Sequence, residues 1–103
     1  MPRLTIRPRA WREINEQLEY LKEQGGEELA QRFVKAAQDT FEVLAAMPKT
    51  GVRCEFSRHA LQRVRRWPVK GFENWLIFYL PKRDGVEILH VIHGARDINN
   101  LLS

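Results

Sequence analysis

WLIFYLPKRDGVEILHVIH, Trp75 to His93, contains the two longest β-forming runs of the chain, with turn chemistry between them. Trp75–Leu80 is continuously apolar and aromatic, the pattern of a central strand covered on both faces. Pro81–Gly85 reads as a hairpin loop with Asp-Gly at its end, and Val86–His93 as the return strand. The period-two alternation of an extended chain puts His90 and His93 on opposite faces. Upstream, Leu61, Val64 and Trp67 with interleaved arginines predict a further strand, and Pro68, Lys70 and Gly71 a turn. Arg63 and Arg65 then share one face, Val64 and Arg66 the other, although a one-residue slip in register would reverse them.

The amino-terminal half has a different period. Leu4 and Ile6 alternate with Arg3, Thr5 and Arg7, a short strand ended by Pro8. Trp11, Ile14, Leu18 and Leu21 form one stripe on a helix from about Arg9 to Gln24. Leu29, Phe33, Ala37, Phe41 and Leu44 form another on a helix from about Glu27 to Met47. Glu27 and Glu28 suit the second helix's positive end, Pro48 closes it, and Gly25-Gly26 separates the two. Two helices with so short a break predict an antiparallel helical hairpin. Met47–Gly51 is turn chemistry, Val52–Ala60 reads as loop, and Asp97 is placed to cap a final helical turn over Ile98–Leu102. The predicted fold class is α+β, in the order β-α-α-β-β-β: an antiparallel sheet of about four strands, with the helical hairpin packed on one face and a short C-terminal helical turn.

The 103 residues suit one domain with a single core. The longest apolar runs fall well short of a membrane span, and the charged amino terminus lacks the apolar stretch of a signal peptide, so a cytoplasmic protein without membrane association is expected. Cys54 is the only cysteine, which excludes an intramolecular disulfide and any zinc site built from several cysteines. No metal-ligand spacing, glycine-rich phosphate loop, GxSxG elbow or HExxH appears, so no metal or cofactor is implied.

Charge is unevenly distributed. Residues 11–47 carry four positive and eight negative charges, a net −4. Residues 53–70 carry six positive charges against Glu55, a net +5. A basic segment of this density suits an anionic partner, and guanidinium forks suit phosphate or carboxylate oxygens. Arg63, Arg65, Arg66 and Lys70 are the candidate binding residues, with Arg96 beside them if the Gly94-Ala95 turn delivers it to the sheet. Arg96 is equally suited to an ion pair with Asp97. The histidines His59, His90 and His93 are the groups with acid/base capacity near neutral pH, though a histidine in a β-rich run is more often packed than catalytic.

Four pieces of this sequence resemble the ParE-type toxins of the RelE/ParE superfamily, the toxic members of bacterial type II toxin–antitoxin modules. They are the arginine-rich RVRRWPVKGFENW (Arg63–Trp75), LIFYLP (Leu76–Pro81), DGVEILHVIHG (Asp84–Gly94) and the ending ARDINNLL (Ala95–Leu102). LEYL (Leu18–Leu21) and LAAMPKTG (Leu44–Gly51) agree in order and spacing, so the resemblance covers nearly the whole chain. It implies a cognate antitoxin that folds over the toxin in a hetero-oligomeric complex. It also implies one of two activities: ParE-like members are associated with poisoning DNA gyrase, and RelE-like members cut messenger RNA on the ribosome.

A ribonuclease needs a group to take the ribose 2′-hydroxyl proton, another to protonate the leaving oxygen, and cations for the phosphate. RelE-like enzymes usually carry a tyrosine or histidine close to the carboxy terminus. Here only Asp97, Ile98, Asn99, Asn100, Leu101, Leu102 and Ser103 follow Arg96. A ribonuclease reading would rest on Arg65, Arg66 and Arg96 for the phosphate and on His90 or His93 for protons. The missing terminal acid/base favours gyrase binding, without bond-breaking chemistry, over the ribosome and messenger RNA.

Overall fold

A computed structural model describes residues 2–54 and 63–95. Arg3–Ile6 forms strand β1, and a single helical element, α1, runs over Pro8–Ala46. A 3₁₀ turn follows at Pro48–Thr50, then strands β2 (Val52–Arg53), β3 (Arg65–Val69), β4 (Phe72–Lys82) and β5 (Gly85–His93). The strands make one five-stranded sheet in the order β1-β5-β4-β3-β2. The predicted final helical turn lies outside the described residues, as do Leu61, His59, Arg96 and Asp97.

The central hairpin is the best-read part of the chain. β4 and β5 pair from Trp75↔His93 to Lys82↔Gly85, so strand structure runs through Pro81 and only Arg83 and Asp84 remain as the turn. Alternation sends Trp75, Ile77 and Tyr79 into one cluster and Leu76, Phe78 and Leu80 into another on the opposite face. A register shift near Phe78/Tyr79 lets Ile88 and Val91 both join the first cluster despite their odd spacing.

Two expectations about the sheet are corrected. It has five strands rather than about four, because Val52–Arg53, read as loop, pairs with Arg66 and Arg65. It is mixed rather than antiparallel: β1 lies parallel to β5, with Arg3 opposite Gly85 and Ile6 opposite Ile88. Local pattern cannot signal that partner, which lies about eighty residues away and is reached only after the helix crosses over. The pairing needs Gly85, where a Cβ would overlap the backbone of Arg3.

The helical hairpin is corrected as well. The helical segment is one 39-residue element with no loop inside it, kinked where Gly25 (φ −146°, ψ 16°) and Gly26 (φ 77°, ψ −175°) leave helical geometry. A straight helix of that length would reach about 58 Å, whereas the molecule measures 39 Å along its longest axis. Gly26 supplies the left-handed φ that other residues avoid.

Both limbs of the helix pack on the same face of the sheet. Ala10, Ile14 and Leu21 from the first limb and Phe33, Ala37, Phe41 and Leu44 from the second meet Trp75, Ile77, Tyr79, Ile88 and Val91. Phe33 stands edge-on to Trp75 and to Phe72. The first stripe holds at Ile14, Leu18 and Leu21 and departs from the prediction only at its start, where Ala10 is buried and Trp11 is 50% exposed. Gln17 is buried on this stripe because its Oε1 accepts the Trp75 Nε1–H at 2.7 Å.

Candidate target-binding surface

β3 presents the basic residues, and its register decides what each does. Arg65 stands opposite Tyr79, whose ring belongs to the helix-side cluster, while Arg66 stands opposite Phe78 of the other face. The two neighbouring arginines therefore project from opposite sides of the sheet, as period two requires.

Arg65 is engaged within the fold. Its Nη1 donates to the carbonyl of Gly51 at 2.7 Å and to that of Lys49 at 3.3 Å. The same turn is held from below by Tyr79, whose hydroxyl donates to the Pro48 carbonyl and accepts the Gly51 N–H, both at 2.7 Å. Tyr79 is fully buried, and a buried phenol needs such partners. Burial pushes its pKa up, against the opposing effects of the Gly51 hydrogen bond and the nearby Arg65 charge. This pair of side chains turns Met47–Gly51 into a fixed platform at the edge of the sheet.

Arg66 is exposed, as are Arg63 and Lys70. Arg66 lies in register with Val52 of β2 on one side and Phe78 of β4 on the other. Its charge also reaches Cys54, whose thiol is pushed up by burial and pulled back in part by Arg66. Lys70 sits at the β3–β4 turn, fixed through its backbone N–H, which donates to Thr40 Oγ1 of α1 at 3.2 Å. The candidate cations thus divide into an exposed set, Arg63, Arg66 and Lys70, and Arg65, which braces the platform. Arg96 lies outside the described residues.

Each of the two described histidines is engaged within the fold. His90 Nδ1 lies 3.0 Å from Glu13 Oε2 of α1, and Glu13 Oε1 also accepts the Val91 N–H at 3.2 Å. β1 ends at Ile6, opposite Ile88, so the helix carboxylate satisfies the next part of the β5 edge. His93 packs edge-on against Trp75, with ring centres 4.8 Å apart. Sequence reasoning passed over Glu13 and took Tyr79 only as part of a continuously apolar and aromatic strand. The phenol inside an otherwise apolar run was the available signal for Tyr79.

At the far edge, Arg7 Nε donates to Glu87 Oε2 at 2.7 Å, and Lys82 Nζ lies 3.3 Å from Glu87 Oε1. The hydrogen bond from Arg7, helped by Lys82, holds the Glu87 carboxyl below its ordinary range. Among the described residues, no group of three or more His, Cys, Asp or Glu is placed to hold a metal ion. No helix among them is long and apolar enough to cross a membrane.

The architecture is thus an α+β sheet with one kinked helix on one face and a basic strand whose neighbouring arginines project from opposite faces. The family model described as "ParE toxin of type II toxin-antitoxin system, parDE" matches residues 4–98. The chain belongs to the ParE toxin family. Its fold is similar to that of the solved structure titled "Chromosomal ParDE TA system from P. aeruginosa", with a TM-score of 0.72 over 90% of this chain and 96% of that one. Sequence identity across that match is 15%, so the fold persists where most side chains have changed. No curated protein sequence matches this chain. ParE toxins are the toxic half of type II toxin–antitoxin systems.

Proposed function

We propose that this ParE-family chain arrests growth by binding DNA gyrase, without bond-breaking chemistry of its own, and is held inactive by a cognate antitoxin of the ParD kind. Family membership supports the toxin role. The observation that carries the mechanism is the dispersal of the groups a ribonuclease would need. Arg65 is bonded to backbone carbonyls on one face and Arg66 projects from the other. His90 is paired with Glu13, and His93 packs on Trp75. A phosphate held by Arg66 would have Phe78 between it and His90, because the three residues lie in one cross-strand row. What remains exposed is a set of cations suited to an anionic protein or nucleoprotein surface.

The test is a supercoiling assay with purified, folded toxin. Gyrase should be blocked by wild-type protein and released when antitoxin is added. Normal supercoiling at a large molar excess of toxin overturns the reading. Primer extension on messages from toxin-expressing cells should show no codon-phased cuts; a regular pattern of cuts would assign the chain to messenger RNA cleavage instead.

A further inference from the structure

A groove lies where the end of α1 meets the β4–β5 hairpin. Met47, Pro48 and Pro81 supply its apolar surface, and Lys49, Lys82 and Arg83 its charge. We propose that this groove is a docking surface for an acidic, apolar-anchored segment of the antitoxin. The inference rests on the toxin–antitoxin part of the functional reading and is independent of the gyrase target.

Three observations point to that occupant. Met47 is 60% exposed and Val43, one helical turn earlier, is 48% exposed, so two large apolar side chains stand in water on one side of the helix end. The residues that line the groove include three cations and no acid. Among the described residues, Lys82 pairs with Glu87, while no ion pair engages Lys49 or Arg83. An apolar anchor flanked by carboxylates complements this pattern, and a basic or purely polar segment does not.

The third observation is rigidity. Tyr79 holds the Pro48 carbonyl and Arg65 holds those of Lys49 and Gly51, so the groove's floor is fixed before any partner arrives. A preformed surface lowers the ordering cost that a flexible partner segment brings to binding.

The experiment uses full-length toxin and the antitoxin encoded beside it. Lys49→Glu with Arg83→Glu should weaken antitoxin binding about tenfold or more at about 0.15 M salt. Neutral Lys49→Gln with Arg83→Gln should give an intermediate loss and a shallower salt dependence. Met47→Ser with Val43→Ser should weaken binding without changing the salt dependence. Lys22→Glu with Lys35→Glu, on the exposed flank of α1, should leave affinity unchanged. Affinity and salt dependence equal to wild type in variants whose unfolding midpoints are also unchanged overturns the proposal. If charge reversal impairs folding, the glutamine pair decides by the same criterion. Wild-type toxin that fails to inhibit gyrase while its groove variants lose antitoxin affinity overturns the functional reading and leaves this inference standing.

Discussion

Glu13 and His90 lie 77 positions apart in sequence and 3.0 Å apart in space, joining the first limb of the helix to the last strand of the sheet. The carboxylate also closes the β5 edge by accepting the Val91 N–H. Its two roles can be separated. Glu13→Ala removes both and leaves a partly buried donor without its acceptor, a loss of about 1–3 kcal/mol. Glu13→Gln keeps an acceptor oxygen for Val91 and should lose less. Denaturant unfolding monitored by Trp fluorescence gives both values, and equal losses in the two variants would show that charge, not edge closure, carries the interaction.

The bracing of the Met47–Gly51 platform predicts opposite behaviour for two adjacent arginines. Arg65→Ala removes the donor to Gly51 and Lys49 and should destabilise the fold by about 1–2 kcal/mol. Arg66→Ala, exposed beside Val52 and Phe78, should leave the unfolding midpoint within about 0.5 kcal/mol of wild type while reducing growth arrest and gyrase inhibition. The paired measurement is thermal unfolding alongside the supercoiling assay. A stable Arg65→Ala with lost activity would move Arg65 to the binding surface.

Tyr79→Phe probes the same platform from beneath. The phenyl ring still fills the core, but the Gly51 N–H loses its acceptor and the Pro48 carbonyl its donor. A cost of about 1–3 kcal/mol follows from the unsatisfied groups. Amide hydrogen exchange should accelerate locally at Gly51, and the groove beside Pro48 should lose antitoxin affinity without any change to its own side chains.

These residues also show where the sequence was legible. The β4–β5 hairpin, the helix stripes and the face-splitting of Arg65 and Arg66 are properties of short-range period, and period survives in a single sequence. The parallel β1–β5 pairing, the β2–β3 pairing and the Glu13–His90 contact are decided by partners distant along the chain. At Gly25-Gly26, two glycines signal a break correctly, but they do not say whether a loop or a kink results. The candidate site was legible as a basic strand; the bracing role of Arg65 was not, because its acceptors are backbone carbonyls, which carry no residue-type signal.

The acid limb of the stability curve tests the far edge of the sheet. Glu87 is held below its ordinary pKa chiefly by the hydrogen bond from Arg7, with Lys82 assisting. A carboxyl whose folded-state pKa is depressed contributes stability above its unfolded-state pKa, and that contribution is lost as pH falls through the folded-state pKa. Wild-type protein should therefore lose this contribution below about pH 4.5, the ordinary value for the group. Arg7 and Lys82 are each about half exposed, at 50% and 51% of their side chains, so solvent screens the pair. The effect is accordingly small, about 0.5 kcal/mol. Glu87→Gln should remove it, flattening the difference between unfolding midpoints at pH 3.5 and pH 7, and about 0.5 M salt should reduce the wild-type difference in the same direction. Identical acid limbs in wild type and Glu87→Gln would show that the Arg7–Glu87–Lys82 cluster does not couple β1 and the β4–β5 hairpin energetically.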